Sequence, residues 1–317
     1  MIKKIWLVGC GKMAQDYAKV LNQLEVPFTT IGRGDASASR FENVTGLEVV
    51  RGGIDACLHR KLDLPSSAII SVGIENLAHC ASILINSGVR RILVEKPGGL
   101  NSKEINTLHD LACSKGAEVF VAYNRRFYSS VLGARKLIDE DGGVQSFNFD
   151  FTEWGHEIET LEKSPGVKEH WVFGNSSHVI DLAFFLGGEP LEFNAFREGS
   201  LTWHPSSSVF CGAGRTISGK LFSYNANWDA PGRWGAEFCS KNYRLIFRPM
   251  ESLQIMRKGS VSIKTFNVEG QDLDNEFKPG LFLQTKAFLD DNENADLCRL
   301  SDHVKMLPVY SEIAGYS

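Results

Sequence analysis

"IWLVGCGKMAQDYAKVLNQLEVPFTTIG", residues 5–32, decides the fold. Four apolar residues, Ile5 to Val8, run directly into Gly9-Cys10-Gly11, and Met13, Tyr17, Val20, Leu21 and Leu24 then recur at helical spacing. "EVP" at 25–27 closes that helix before "FTTIG" opens a second strand, so the stretch is one β-α-β unit. Gly9, Gly11 and Ala14 occupy the G-x-G-x-x-A positions at its first turn. Glycine at 9 permits the tight turn, Gly11 lets the backbone approach a pyrophosphate, and Ala14 lets the helix pack close. The helix start, with Lys12 and Met13, offers amide donors and the positive end of a dipole to an anion. A glycine-rich turn of any α/β protein would look similar in isolation, but the surrounding β-α-β pattern favours a dinucleotide site.

The same alternation continues outward. "AIISVG" at 68–73 and "RRILVEKP" at 90–97 read as strands around a helix "ENLAHCASILINSG" capped by Gly88, and "AEVFVAYN" at 117–124 adds another strand. Residues 1–122 are therefore expected to form a doubly wound parallel sheet that binds a nucleotide, giving an α/β protein. From residue 123 the pattern changes. Phe147, Phe149 and Phe151 alternate with polar residues in "SFNFDFTEW", the period of a half-exposed sheet, and "TISGKLFSYNANW", "YRLIFRP", "SLQIMRKG" and "VSIKTFNV" follow as strands joined by short turns. Residues 123–317 are read as an α+β domain with a mostly antiparallel sheet. "NVEGQDLDNEF" is read as a polar loop before a helix "GLFLQTKAFLDD", and the C-terminal segment is allowed to pack back on the first domain.

Composition sets bounds on the partners. A chain of 317 residues, 43% of them hydrophobic, suffices for two cores, and a net charge of −4 without basic runs argues against nucleic acid or an anionic membrane. Seven cysteines without metal-ligand spacing suggest free thiols in a reducing compartment, and neither His156 nor His170 has companions for a metal. No apolar stretch reaches membrane-spanning length and no signal peptide is evident, so a cytoplasmic location is expected.

Two further stretches bear on chemistry. An acid at the end of the second strand would bind the ribose hydroxyls of NAD, but Gly32 stands there, followed by Arg33, Ser37, Ser39 and Arg40. These residues look like a phosphate-receiving loop and favour NADP(H), with NAD(H) still possible if Asp35 serves as a displaced acid. At the end of a core strand, Glu95 and Lys96 are pinned by Pro97 where open parallel sheets bind ligands. Lys96 there can exchange a proton with a substrate hydroxyl; a surface ion pair is the plainer alternative.

"VGCGKMA", "VEKPGG", "VAYNRRF" and "NSSHVIDLAFFLGG" together resemble the glucose-fructose oxidoreductase, inositol dehydrogenase and rhizopine-catabolism (Gfo/Idh/MocA) oxidoreductases over nearly the whole chain. The resemblance implies a Rossmann domain followed by a domain whose large open sheet forms homodimer or homotetramer contacts. It implies hydride transfer with NAD(P) at a hydroxyl or carbonyl carbon of a sugar or polyol, with Lys96 assisting the proton. His178 matches the family's acid/base histidine, while Gly174 stands where an aspartate is usual. His178 is therefore read either as an acid/base or as a buried, hydrogen-bonded histidine. Asn175, His178 and Asp181 fall three apart and are expected to share a face toward substrate. Tyr123 and Arg126 are further substrate candidates, and Glu95, Lys96 and Asn124 are expected near the cofactor. Trp228, Arg233 and Trp234 stand on a turn where stacking on a sugar competes with core packing. A non-catalytic NADP(H) sensor of the same fold is the alternative function.

Overall fold

The computed structural model describes residues 4–290 and 295–316. The chain divides into two compact units, Met1–Asn124 with Glu276–Met306, and Arg125–Asn275 with Leu307–Ser317.

The first unit is built on β1 (Ile5–Val8), β2 (Phe28–Gly32), β3 (Val49–Arg51), β4 (Ser67–Ile70), β5 (Arg91–Val94) and β6 (Glu118–Val121). Its strand order is β6-β5-β4-β1-β2-β3, all parallel, with a two-residue strand Cys298–Arg299 added antiparallel to β6. β1, β4 and β5 are buried at every position, because helices cover both faces of a parallel sheet. The chain leaves β1 toward β2 on one side and returns to β4 on the other, so their carboxyl ends flank the switch point where such sheets bind ligands. α1 (Lys12–Gln23) buries Ala14, Tyr17, Val20 and Leu21, as its periodicity predicts.

The stretch after Gly32 is not a loop through Arg40: α2 (Asp35–Thr45) starts at once, with Gly34 as its N-cap residue and Ala38 and Phe41 buried. The inward Ala38 and Phe41 make a packed helix out of what reads as a polar loop. β3, only three residues long, carries too little periodicity to be seen in advance.

The second unit holds an eight-stranded sheet of β7 (Ser146–Asp150), β8 (Pro190–Glu198), β9 (Val209–Thr216), β10 (Leu221–Asn227), β11 (Gly235–Cys239), β12 (Tyr243–Phe247), β13 (Gln254–Arg257) and β14 (Ile263–Thr265). The order is β14-β13-β12-β11-β7-β10-β9-β8, antiparallel except for the β7/β10 pair. Phe147 and Phe149 of β7 are buried while Asn148 is exposed, as alternation requires. Their rings meet Phe184 of the helix Ser177–Gly187 edge-on, at 5.9 and 5.8 Å between centroids. "TISGKLFSYNANW" proves to be the end of one strand, a turn, and another strand, and "NVEGQDLDNEF" contains a helix, Gln271–Glu276. A tertiary tie fixes that helix: the Asp274 carboxylate accepts from both the amide and the hydroxyl of Ser129 at 2.7 Å.

Candidate functional site

The first unit contains a cavity of about 670 Å³ at the carboxyl ends of β1, β2, β4 and β5, lined among others by Gly9, Gly11, Lys12, Met13, Arg33, Ser37, Glu95 and Lys96. Gly9 has φ +122°, and a Cβ there would lie 2.1 Å from the Ser71 carbonyl oxygen, so only glycine fits the turn. A Cβ on Gly11 would meet no protein atom within 4 Å. Its glycine is therefore not required by packing, which is the expected mark of a position kept bare for a ligand. No side chain caps the N-terminus of α1, so its first-turn amides are not consumed by a cap. A dinucleotide's pyrophosphate fits this cradle.

Arg33 and Ser37 line the cavity, but Arg40 does not. A Cβ at Gly32 would sit 2.6 Å from Cys10 Sγ and 2.9 Å from Val49 Cγ1, so the protein has no room for an acid at that position. Asp35, the displaced alternative, lies 3.4 Å from the Arg51 guanidinium, which also pairs with Glu42 at 2.6 Å. Arg51 is thus matched by carboxylates within the protein, whereas Arg33 is exposed beside the cavity. Burial pushes the neighbouring Cys10 thiol up to about 11, and Glu42 adds to the effect.

Glu95 and Lys96 follow β5, and the Lys96–Pro97 peptide is cis. Tyr17 on α1, absent from the sequence-based candidates, donates its hydroxyl to Glu95 Oε1 at 2.8 Å. Burial raises the Glu95 carboxyl above its ordinary range, opposed by the Tyr17 hydrogen bond and by the charges of Lys96 and Lys278. Tyr17 itself is held neutral by burial and by Glu95. Asn124 does not line the cavity: its amide donates to the Pro279 carbonyl at 2.8 Å. Tyr123, expected at substrate, is 1% exposed with its ring 5.5 Å from that of His303.

In the second unit the expected strip of Asn175, His178 and Asp181 is divided. Val172–Ser176 is a π-helical turn leading into the helix Ser177–Gly187, and the extra residue per turn breaks the three-residue spacing. Asn175 Nδ2 and Ser176 Oγ both donate to Glu153 Oε1, at 3.0 and 2.9 Å. His178 is buried in the first turn of the following helix. Asp181 accepts from Arg126 Nε at 2.8 Å and Nη2 at 2.6 Å, so these two substrate candidates form a forked ion pair with each other. Glu153, 2% exposed, is absent from the sequence-based candidates. It lies past the end of β7, where Phe151, Thr152 and Glu153 are all buried and strand alternation no longer marks the inward face. Trp228 is core, stacked on Trp203 with centroids 5.6 Å apart. Among the described residues, no three His, Cys, Asp or Glu side chains gather as a metal site.

Residues 3–123 match the family model described as "oxidoreductase family, NAD-binding Rossmann fold" (Gfo/Idh/MocA). An uncharacterized oxidoreductase of Schizosaccharomyces pombe is 31% identical over 115 residues, 35% of this chain and 31% of that protein. Levoglucosan dehydrogenase of Pseudarthrobacter phenanthrenivorans is 26% identical over 165 residues, 48% of this chain and 40% of the other. The chain thus aligns with less than half the length of either curated relative. In fold the similarity runs end to end. A structure of levoglucosan dehydrogenase with NADH and L-sorbose superposes with a TM-score of 0.77 at 16% identity, covering 99% of this chain and 96% of the other. UDP-N-acetylglucosamine 3-dehydrogenase from Acidithiobacillus ferrooxidans does so with 0.75 at 14% identity, covering 99% and 97%. Residues 3–123 thus match the NAD-binding Rossmann domain of the Gfo/Idh/MocA oxidoreductases, and the chain along its length shares the fold of these two dehydrogenases.

Proposed function

We propose that the chain transfers a hydride to or from a hydroxyl or carbonyl carbon of a sugar, polyol or sugar derivative, with NADP(H) preferred over NAD(H). The observation that carries the reading is the cavity over Gly9 and Gly11, which Glu95 and Lys96 also line. Gly11 and the first-turn amides of α1 would hold the pyrophosphate, and Arg33 with Ser37 would hold a 2′-phosphate. A bound nicotinamide supplies the hydride acceptor or donor. Lys96 holds or moves the proton of the reacting oxygen, and His178 is proposed as the second acid/base. NAD(H) is the second reading, favoured by the NADH in the levoglucosan dehydrogenase structure. The open face of the second sheet, where Phe196 and Leu221 are exposed, is proposed to join copies of the chain, and light scattering in solution tests it.

The testing experiment is titration of the protein with NADPH and NADH, followed by an absorbance screen for nicotinamide turnover across sugars, polyols and nucleotide sugars. Tight NADPH binding with turnover of one sugar class is expected. Lys96→Ala and His178→Ala are each expected to lower kcat while still binding cofactor, and full turnover in both would refute their roles. Cofactor binding without turnover of any compound would make the chain a nicotinamide sensor.

A further inference from the structure

We propose that the second unit carries a subsite for the oxyanion of an acidic sugar, a carboxylate or phosphate borne on the ring, formed by Arg125, Arg233, Trp154 and Trp234. The proposal rests on the reading of the chain as an oxidoreductase of sugar-like substrates and narrows its substrate class.

Two guanidiniums converge on one indole. The Arg125 and Arg233 guanidinium carbons lie 4.5 and 4.6 Å from the Trp234 ring centroid. Arg233 also lies 4.9 Å from the Trp154 ring, and Arg125 lies 5.6 Å from that of Tyr128. Each cation is attracted to the rings, but the two cations repel each other, so negative charge nearby favours the arrangement. Within the protein one carboxylate, Glu153, supplies it to Arg233. Glu153 Oε2 stands 3.8 Å from Arg233 Nη1, at the far limit of an ion pair, and Oε1 of the same carboxylate already accepts from Asn175 and Ser176. Arg125 forms no ion pair with a described residue, and its buried Nε has no hydrogen-bond acceptor. The buried Trp234 Nε1 also lacks one. Nε of Arg125 and Nε1 of Trp234 are enclosed, but the terminal guanidinium nitrogens of Arg125 are not, and with the exposed Arg233 they form a cationic set that an oxygen-rich anion complements and a neutral or cationic group does not.

The cluster can be reached. Arg233 is 51% exposed and Trp154 48% exposed, and the Trp154 indole is fixed by its Nε1 hydrogen bond to the Gly232 carbonyl at 2.9 Å. A fixed, half-exposed indole face beside a forked cation suits the apolar face of a sugar ring with an anionic substituent. The cluster also connects to the proposed substrate residues. Glu153 faces Arg233 on one side and Asn175 on the other, so a single carboxylate links Arg233 to the turn that leads into His178.

The test compares neutral and acidic sugars of matched configuration, as hexoses, uronates, hexose phosphates and uridine-diphosphate hexoses of the gluco, galacto and manno series. The acidic member of one series is expected to show a kcat/KM at least about tenfold above its neutral partner, carried mainly by KM, as one charge-assisted contact would give. That ratio should fall toward one in Arg125→Ala and in Arg233→Ala. Arg233→Gln serves as a second variant if the alanine forms do not fold. Preference for the uronate identifies a carboxylate and preference for the phosphates identifies a phosphate. Neutral sugars equal or better in every series, or a preference that survives both substitutions, overturns the subsite. If no sugar is turned over, the proposed function fails separately, and the same pairs are titrated against tryptophan fluorescence. Quenching by acidic sugars alone, lost in Arg233→Ala, upholds the subsite; no quenching by any of them overturns it.

Discussion

Replacing Asp181 with alanine is expected to destabilise the second unit by about 3 kcal/mol, because it removes two charge-assisted hydrogen bonds from a buried guanidinium. The Asp181 and Arg126 side chains are 3% and 14% exposed and share two hydrogen bonds of 2.8 and 2.6 Å. Removing one partner of such a pair costs roughly 3–5 kcal/mol, most of it the penalty of the charge left behind. Arg126 keeps some compensation, since its guanidinium lies 4.7 Å from the Phe185 ring centroid, so the lower end of that range applies. Urea unfolding followed by tryptophan fluorescence should show the midpoint falling by roughly 1 M. Asp181→Asn, which keeps an acceptor, should lose less. Arg126→Met combined with Asp181→Leu should recover most of the loss, since well-packed apolar replacements of a buried pair are often neutral. A midpoint shift below about 0.3 M in Asp181→Ala, with a raised KM, would refute the reasoning and return Asp181 to the substrate.

Three other outcomes follow from the first unit. Arg33→Ala should weaken NADPH binding by about 10- to 100-fold and NADH binding by less than about threefold, and equal loss for both would sink the phosphate assignment. Glu95 has a raised folded pKa, so the cost of its ionisation is absent below about 4.5 and grows as pH rises through the folded value. Glu95→Gln should therefore gain melting temperature over the native chain between acid and neutral pH, while a gain confined to acid pH would contradict the burial argument. Because burial holds the Cys10 thiol near 11, Cys10 should alkylate much more slowly at pH 8 than the exposed Cys113 and Cys211, which peptide mapping by mass reads directly.

The glycines at 9 and 11, the helical spacing of α1 and the alternation around Phe147 all belong to local backbone geometry, and each was legible without a structure. The conformation of a residue and the face it presents depend on near neighbours in the chain. Where expectations needed revision, a distant contact was responsible. α2 replaced a polar loop because Ala38 and Phe41 found a buried face, and the helix Gln271–Glu276 is tied by Asp274 to Ser129.

The sequence by itself determined the strand-glycine-helix opening of the first unit and the alternation of β7, because periodicity and glycine stereochemistry are written residue by residue. Only the tertiary structure decided the partners of the charged groups. Arg126 and Asp181, 55 residues apart, bind each other. Tyr17 reaches Glu95 across 78 residues, and Glu153 joins Arg233 to the turn before His178. A charge's partner is set by which side chains the fold brings within a few ångströms, and its energy by the water excluded there; neither quantity is encoded in local spacing.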